Sequence, residues 1–183
     1  MLLGPDDDLG FEPQRILING AAGSGKTTLA IRLAEQLGLP HTEIDGLYHG
    51  PDWVPREAFL NDVRQLADSS AWITEWQYGD ARPILLDRCE LLIWLDHPRA
   101  RVMRRVVRRT VRRRLRREQL WNGNVEGPFR HFFTDPEHIV RWSWSTYQLA
   151  AERAEEVLHT RPDLPVVRLR TDAEIVRWRA RLA

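Results

Sequence analysis

Gly20-Ala21-Ala22-Gly23-Ser24-Gly25-Lys26-Thr27 places a glycine four residues ahead of Gly-Lys-Thr. These residue types at this spacing suit the holding of a polyphosphate. Glycines let the backbone turn tightly, so that several N–H groups converge on phosphate oxygens. A helix that starts at the end of the loop adds its own free amides and a favourable dipole. Lys26 is then placed to reach the outer phosphates, and the Thr27 hydroxyl to ligate a hard divalent cation. The chain has a single lysine, and it stands where this pattern requires one.

Two carboxylates are candidates for the chemistry beside the loop. Asp45 and Glu75 each close a short expected strand, Pro40–Asp45 and Ala71–Glu75. One could hold Mg²⁺ through water, since that ion keeps much of its hydration shell. The other could accept the proton of an attacking hydroxyl. Asp96 closes a third run and reads as structural. Tyr48, His49, Trp53, Trp76 and Tyr78 cluster in the segments after Asp45 and Glu75, an aromatic lining for whatever binds opposite the phosphates. Arginines dominate the stretch from Pro98 to Arg117, and Arg105 and Arg109, four apart, share a helical face. Arginine stabilises spread phosphoryl charge by both geometry and charge.

The elements that must position these groups are legible. Arg15–Asn19 is a β-prone apolar run before the loop. Leu29, Leu33 and Leu37 recur at helical spacing after it, and Gly38 follows as a stop. Further strands are expected at Pro40–Asp45, Ala71–Glu75, Glu90–Asp96 and Pro165–Arg170. Helices are expected over Arg56–Ser69, Tyr78–Arg88, Pro98–Arg117, Glu137–His159 and Ala173–Leu182, the last capped by Asp172. Alternation of this kind predicts an α/β, three-layer fold: a five-stranded parallel sheet covered by helices on both faces, with a helical lid region. Ligands of such sheets bind at the carboxyl ends of the strands. The loop, Asp45, Glu75 and Asp96 all fall there.

At 183 residues, with 27 basic and 26 acidic side chains, the chain is sized for one domain and is not a polycation as a whole. The expectation is a short mobile tail over residues 1–14 and a single domain over 15–183, of which about 99–136 is a lid-like basic helix and insert. Cys89 stands alone and reads as core filler, which excludes a disulfide framework. No apolar run reaches the ~20 residues of a membrane span, and no signal core precedes the loop, so a cytoplasmic location is expected.

With these residues in place the chain resembles small P-loop kinases of the adenylate kinase-like group, and within it the bacterial DNA topology modulation proteins. The resemblance runs from about Ile16 to Tyr147. It is carried by the loop, by Ile44-Asp45-Gly46-Leu47-Tyr48, by Trp72–Tyr78, by Leu91–Arg99 and by Arg141-Trp142-Ser143-Trp144. It implies ATP and Mg²⁺ as cofactors, with Gly20, Ala22, Gly23, Ser24, Gly25, Lys26, Thr27 and Thr28 on the nucleotide phosphates. It implies Asp45 as the acceptor-side carboxylate, Glu75 as the water-mediated Mg²⁺ ligand, and Arg105 and Arg109 as lid arginines. It places Tyr48, Trp76, Tyr78 and Arg141 on the acceptor side, and Thr171-Asp172 in the loop that passes the adenine. The chain departs from the family at Glu75-Trp76-Gln77-Tyr78, where that family has Asp-Gly-Asn-Tyr, so Trp76 is expected to narrow the acceptor side. The stretch Gln119–Pro136 matches no motif.

The function implied is an ATP-dependent transfer of the γ-phosphate to a hydroxyl or phosphate group of a small-molecule acceptor. A nucleic-acid-binding NTPase is the competing reading, motivated by the basic run and opposed by the absence of any recognisable reading module. A nucleotide-binding regulator with little turnover is a third. The identity of the acceptor and the oligomeric state are not legible from the residues.

Overall fold

The structure is a computed structural model that describes residues 1–116 and 139–182. Five strands form one parallel sheet: β1 (Leu2–Leu3), β2 (Arg15–Gly20), β3 (Trp72–Glu75), β4 (Leu91–Leu95) and β5 (Val166–Leu169), in the order β1-β5-β4-β2-β3. The helices among the described residues are α1 (Lys26–Leu37), α2 (Ile44–Tyr48), α3 (Phe59–Asp68), α4 (Ala81–Arg88), α5 (Arg99–Arg116), α6 (Ile139–Ser145), α7 (Leu149–Thr160) and α8 (Asp172–Arg179). The α/β class, the parallel pairing and the strand count agree with the sequence reading.

Strand membership differs at two places. Pro40–Asp45 is not a strand. It pairs with β3 only briefly, where Ile73 N–H donates to Pro40 O (2.8 Å) and Thr42 N–H to Ile73 O (3.1 Å). The next amide, of Ile44, turns to the Glu75 carboxylate instead (3.3 Å), and the chain winds into α2. Asp45 therefore sits in the first turn of a helix and not at a strand end. The fifth strand comes from the segment expected to be a mobile tail. Leu2 and Leu3 pair in parallel with Val166 and Val167 at the sheet edge. Two residues are too short to carry a periodic signal.

The pleat divides the core. Leu17 of β2 packs with α3, α4 and α7 through Val63, Leu85 and Ala154. Its neighbours Ile16 and Ile18 point to the other face, with Leu29, Leu33 and Trp178 from α1 and α8. All five residues of β4 are buried, as expected of a strand covered on both sides. Cys89 is buried with its Sγ donating to Leu91 O (3.1 Å), a packing role as expected. Asp96 receives Arg168 through Nε (2.8 Å) and Nη2 (2.5 Å), also structural.

Two helices depart from expectation. The single helix expected over Glu137–His159 is broken between α6 and α7. The hydroxyls of Ser145 and Thr146 both donate to Trp142 O, at 3.0 and 2.7 Å, and compete with the helical ladder there. Helix α8 is capped by Thr171, whose hydroxyl accepts from Glu174 N–H (3.1 Å), and not by Asp172. The apolar residues of α5 fall on two faces. Val102, Val106 and Thr110 face inward, whereas Val107, Val111 and Leu115 are exposed. Trp142 and Trp144 are both exposed, with Ser143 between them buried, so neither is a core residue. The unmatched stretch Gln119–Pro136, and with it most of the expected lid, lies outside the described residues.

Burial of Leu3 beside β5 makes residues 1–3 part of the fold. Leu3→Asp places a charge against Trp178 and Leu169 and is expected to destabilise by about 2–3 kcal/mol. Urea denaturation measures this; an unchanged midpoint would mean that the segment is dispensable.

Candidate functional site

The loop leaves the end of β2 and enters α1, and its shape demands glycine at two places. Gly25 is the N-cap of α1 with φ 102°. Gly23 has φ 83°, and a Cβ there would lie 2.3 Å from Val106 Cγ2 and 3.3 Å from Val102 O. Helix α5 is thus packed directly onto the loop backbone. A tight turn within the loop is closed by Ser24 N–H to Ala21 O (3.0 Å). Ser143 of α6 donates to Ala22 O (3.1 Å) from a fully buried side chain. Asn19, at the end of β2, donates to Ala150 O of α7 (2.7 Å). The amides of Gly25, Lys26, Thr27 and Thr28 belong to the first turn of α1, where an α-helix supplies no acceptors of its own.

Lys26 is 8 % exposed, and its ammonium donates to Gly20 O (2.9 Å) and Ala21 O (3.3 Å) of its own loop. Burial pushes its pKa down to about 8, against the opposing pull of Asp45 and Glu75; Arg109 and Arg153 push the same way as burial. Four expected or newly found charges therefore act on this one ammonium.

Glu75, at the end of β3, is 2 % exposed. Burial alone would raise its pKa, but hydrogen bonds from His41 and Thr27 and the Ile44 amide outweigh it and hold the carboxyl below the usual range. His41 Nε2 stands 3.5 Å from Oε1. Thr27 and Glu75 are thus adjacent, as a shared magnesium site requires. The donors are hard oxygens, and Glu75 is kept ionised, which fits Mg²⁺. Among the described residues no group of three or more His, Cys, Asp or Glu side chains forms a cage. A site completed by water and phosphate oxygens is the kind that Mg²⁺ takes.

Asp45 Oδ1 accepts two hydrogen bonds, from Tyr78 Oη (2.6 Å) and Gln77 Nε2 (2.9 Å). Tyr78 Oη also lies 3.2 Å from His49 Nε2. Tyr78 has φ 58°, a conformation costly for a bulky residue, and its ring stacks on Tyr48 at 4.0 Å and 21°. Burial and the Asp45 charge together push the phenol pKa far up, so it remains a donor. Tyr48, His49, Trp53 and Tyr78 thus form the aromatic wall the sequence suggests, with Phe59 edge-on behind it. Trp76 does not belong to that wall. It is buried in the core beside Trp72 and Leu85, with Nε1 donating to Arg82 O (3.1 Å), so it does not narrow the acceptor side.

Arg105 reaches the loop. Its Nη1 donates to Ser24 O (3.0 Å) and its Nη2 to both carboxylate oxygens of Asp172 (2.6 and 2.7 Å). Thr171 lies just beyond β5, with its hydroxyl committed to capping α8. Arg141 lies on α6, and its side chain is outside the described residues. Three participants escaped sequence reading. Arg153 acts on Lys26 and, with Arg82, is one of two arginines that oppose each other's charge. His41 flanks Glu75. In a chain with so many arginines, no signal distinguished these two.

No protein-family model matches the chain. Over 61 residues it is 46% identical to the cytidylate kinase of Methylocella silvestris; the match covers 28% of this chain and 28% of that relative's length. Among solved structures it is similar to a gluconokinase from Sinorhizobium meliloti (TM-score 0.52, 19% identity, 93% of this chain and 91% of that one). A sugar kinase from Janibacter matches with TM-score 0.52 and 20% identity over 92% of each chain. A shikimate kinase from Bacteroides thetaiotaomicron matches with TM-score 0.54 and 16% identity, over 93% of this chain and 97% of that one.

Two outcomes test this geometry. Gly23→Ala must displace Val106 or the α5 backbone, and is expected to weaken ATP binding by at least about tenfold, read by calorimetry. Phosphate binding favours the charged form of Lys26, whose pKa in the free protein is about 8. ATP binding at pH 8 should therefore take up protons, and less so at pH 7, where Lys26 is already mostly charged. Calorimetry in buffers of different ionisation enthalpy reads this, and Lys26→Met should abolish the difference. The chain has, on these likenesses, the α/β fold that gluconokinase and shikimate kinase share.

Proposed function

We propose that this protein is an ATP-dependent phosphotransferase of the P-loop kinase kind, moving the γ-phosphate of ATP to a hydroxyl or phosphate acceptor. The observation that carries the reading is convergence: Asp45 and Glu75 both act on the Lys26 ammonium, from two different segments, at the start of α1. A glycine-rich turn with a purely structural role needs neither carboxylate. In this reading Gly20, Ala22, Gly23, Ser24, Gly25 and Thr28 cradle the phosphates, Lys26 and Arg109 meet their charge, and Asp45 takes the acceptor's proton. Among the described residues both donors to Asp45 fall on Oδ1, so Oδ2 is the oxygen assigned to that proton. Thr27 and Glu75 would hold magnesium, which neutralises charge on the outer phosphates when bound.

The acceptor is a small molecule that meets the Tyr48–Tyr78 wall, and Arg82 and Arg153 suit one that carries an anionic group of its own. The motifs around Asp45 and Glu75 support a place near the DNA topology modulation proteins. Helix α5 is read as the stem of a lid, and Arg141 as an acceptor-side residue. No helix among the described residues is long and apolar enough to cross a membrane, which accords with work in the cytoplasm.

The test is ADP formation from ATP and Mg²⁺ across a panel that includes nucleoside monophosphates, sugar acids, shikimate, nucleosides and simple alcohols. One class should stimulate turnover. Lys26→Ala should abolish that stimulation, and Asp45→Asn should lower it by about 10²–10⁴-fold. ATP binding without stimulation by any member would sink the kinase reading.

A second reading has one observation in its favour. Arg104, Arg108 and Arg112 form an exposed row on α5, beside the exposed Val107 and Val111. Such a surface suits a polyanion. If it binds nucleic acid, affinity for a duplex must fall steeply with salt; a flat response eliminates this alternative.

A further inference from the structure

Three basic side chains converge on one carboxylate beside the phosphate loop. Asp172, in the first turn of α8, meets Arg105 Nη2 at 2.6 Å, Arg101 Nη1 at 3.4 Å and His97 Nε2 at 3.8 Å. His97 is fully buried and oriented from behind through Nδ1 and Arg170 O (2.8 Å). Arg105 is the junction, because its other terminal nitrogen holds Ser24 O within the loop. One guanidinium thus ties the phosphate loop to α8, and the anion on its far side belongs to the protein.

A guanidinium has a limited fork of donors, and a carboxylate and a phosphate compete for the same geometry. Any polyphosphate seated on the loop comes within reach of Arg105 and meets the negative charge of Asp172 beyond it. Helix α8 does not need Asp172 for its start, since Thr171 provides the cap. The side chain of Asp172 is also largely exposed, so it can swing into solvent without opening the core.

We propose that Asp172 is an internal competitor for the nucleotide site: its carboxylate occupies the Arg105 guanidinium that polyphosphate takes, so that nucleotide binding releases the link between α5 and α8. This rests on the reading of the loop as an ATP site. It concerns the residue that opposes binding and not those that make it. The charged arrangement in the free protein, with Nη2 shared by both carboxylate oxygens, is the resting state, and the polyphosphate-bound protein is the one in which α8 is untethered from Arg105.

The test is a double-mutant cycle on ATP affinity, measured by calorimetry in the absence of an acceptor. Asp172→Asn keeps the shape and removes the charge. It is expected to tighten ATP roughly 3- to 10-fold, more at low salt. Arg105→Ala is expected to weaken ATP. In the Arg105→Ala background, Asp172→Asn should change ATP affinity by less than about twofold. Equal melting temperatures for Asp172→Asn and wild type show that the fold is kept. Weaker ATP binding by Asp172→Asn overturns the proposal, since Asp172 would then be orienting Arg105 for the ligand. Equal tightening in both backgrounds also overturns it, as a long-range charge effect. If neither wild type nor Asp172→Asn binds ATP, the nucleotide reading of the loop falls and takes the competitor with it. Binding by wild type with no gain in the variant leaves that reading standing and removes only the competitor.

Discussion

The rest of the site depends on the cost of burying one ammonium. Lys26 is nearly excluded from water, and a buried charge is tolerated only where neighbours compensate it. Here the compensation is the loop's own carbonyls, at 2.9 and 3.3 Å, and the fields of Asp45 and Glu75. Those carboxylates have to be delivered by separate segments to the carboxyl edge of a parallel sheet. β3 delivers Glu75 directly. Asp45 arrives on a five-residue helix whose first amide is tied to that same Glu75. The two acids are thus a mechanical pair before either takes part in chemistry.

The parts of this arrangement that were legible in the sequence are those with a local signature. The loop, its helix and the all-apolar β4 each announce themselves within a dozen residues. Arg105 and Arg109 were singled out by resemblance, since their i, i+4 spacing is shared by several other arginine pairs on the same helix. Other features depend on what lies across the sheet. Nothing local in Pro40–Asp45 shows that the Ile44 amide prefers the Glu75 carboxylate to a neighbouring strand. Trp76 was read as lining because it stands among aromatics just after Glu75, whereas its indole finds a core slot and a carbonyl, that of Arg82. On α5 the buried face runs through Val102, Val106 and Thr110, while Val107, Val111 and Leu115 are exposed, a division that depends on what lies against the helix. Leu2 and Leu3 joined the sheet because the β5 edge was open to them.

The aromatic wall shows how strain and function share a residue. Tyr78 accepts an unfavourable backbone conformation, and the cost is offset by a stacked ring, a short hydrogen bond to Asp45 and a contact with His49. A less constrained residue would not hold both the ring and the hydroxyl where they are. The stacked ring of the aromatic wall and the hydrogen bond to Asp45 are therefore set by one side chain.

The phosphate loop is gripped from two sides by the flanks of a single chain segment. Helix α5 presses Val106 against Gly23, and α6 bonds Ala22 through Ser143. These two helices are the last element before residues 117–138 and the first after them. Both stems of that stretch are thus rooted in adjacent residues of the loop. A displacement of α5 or of α6 is therefore passed to neighbouring residues of the glycine-rich turn between β2 and α1.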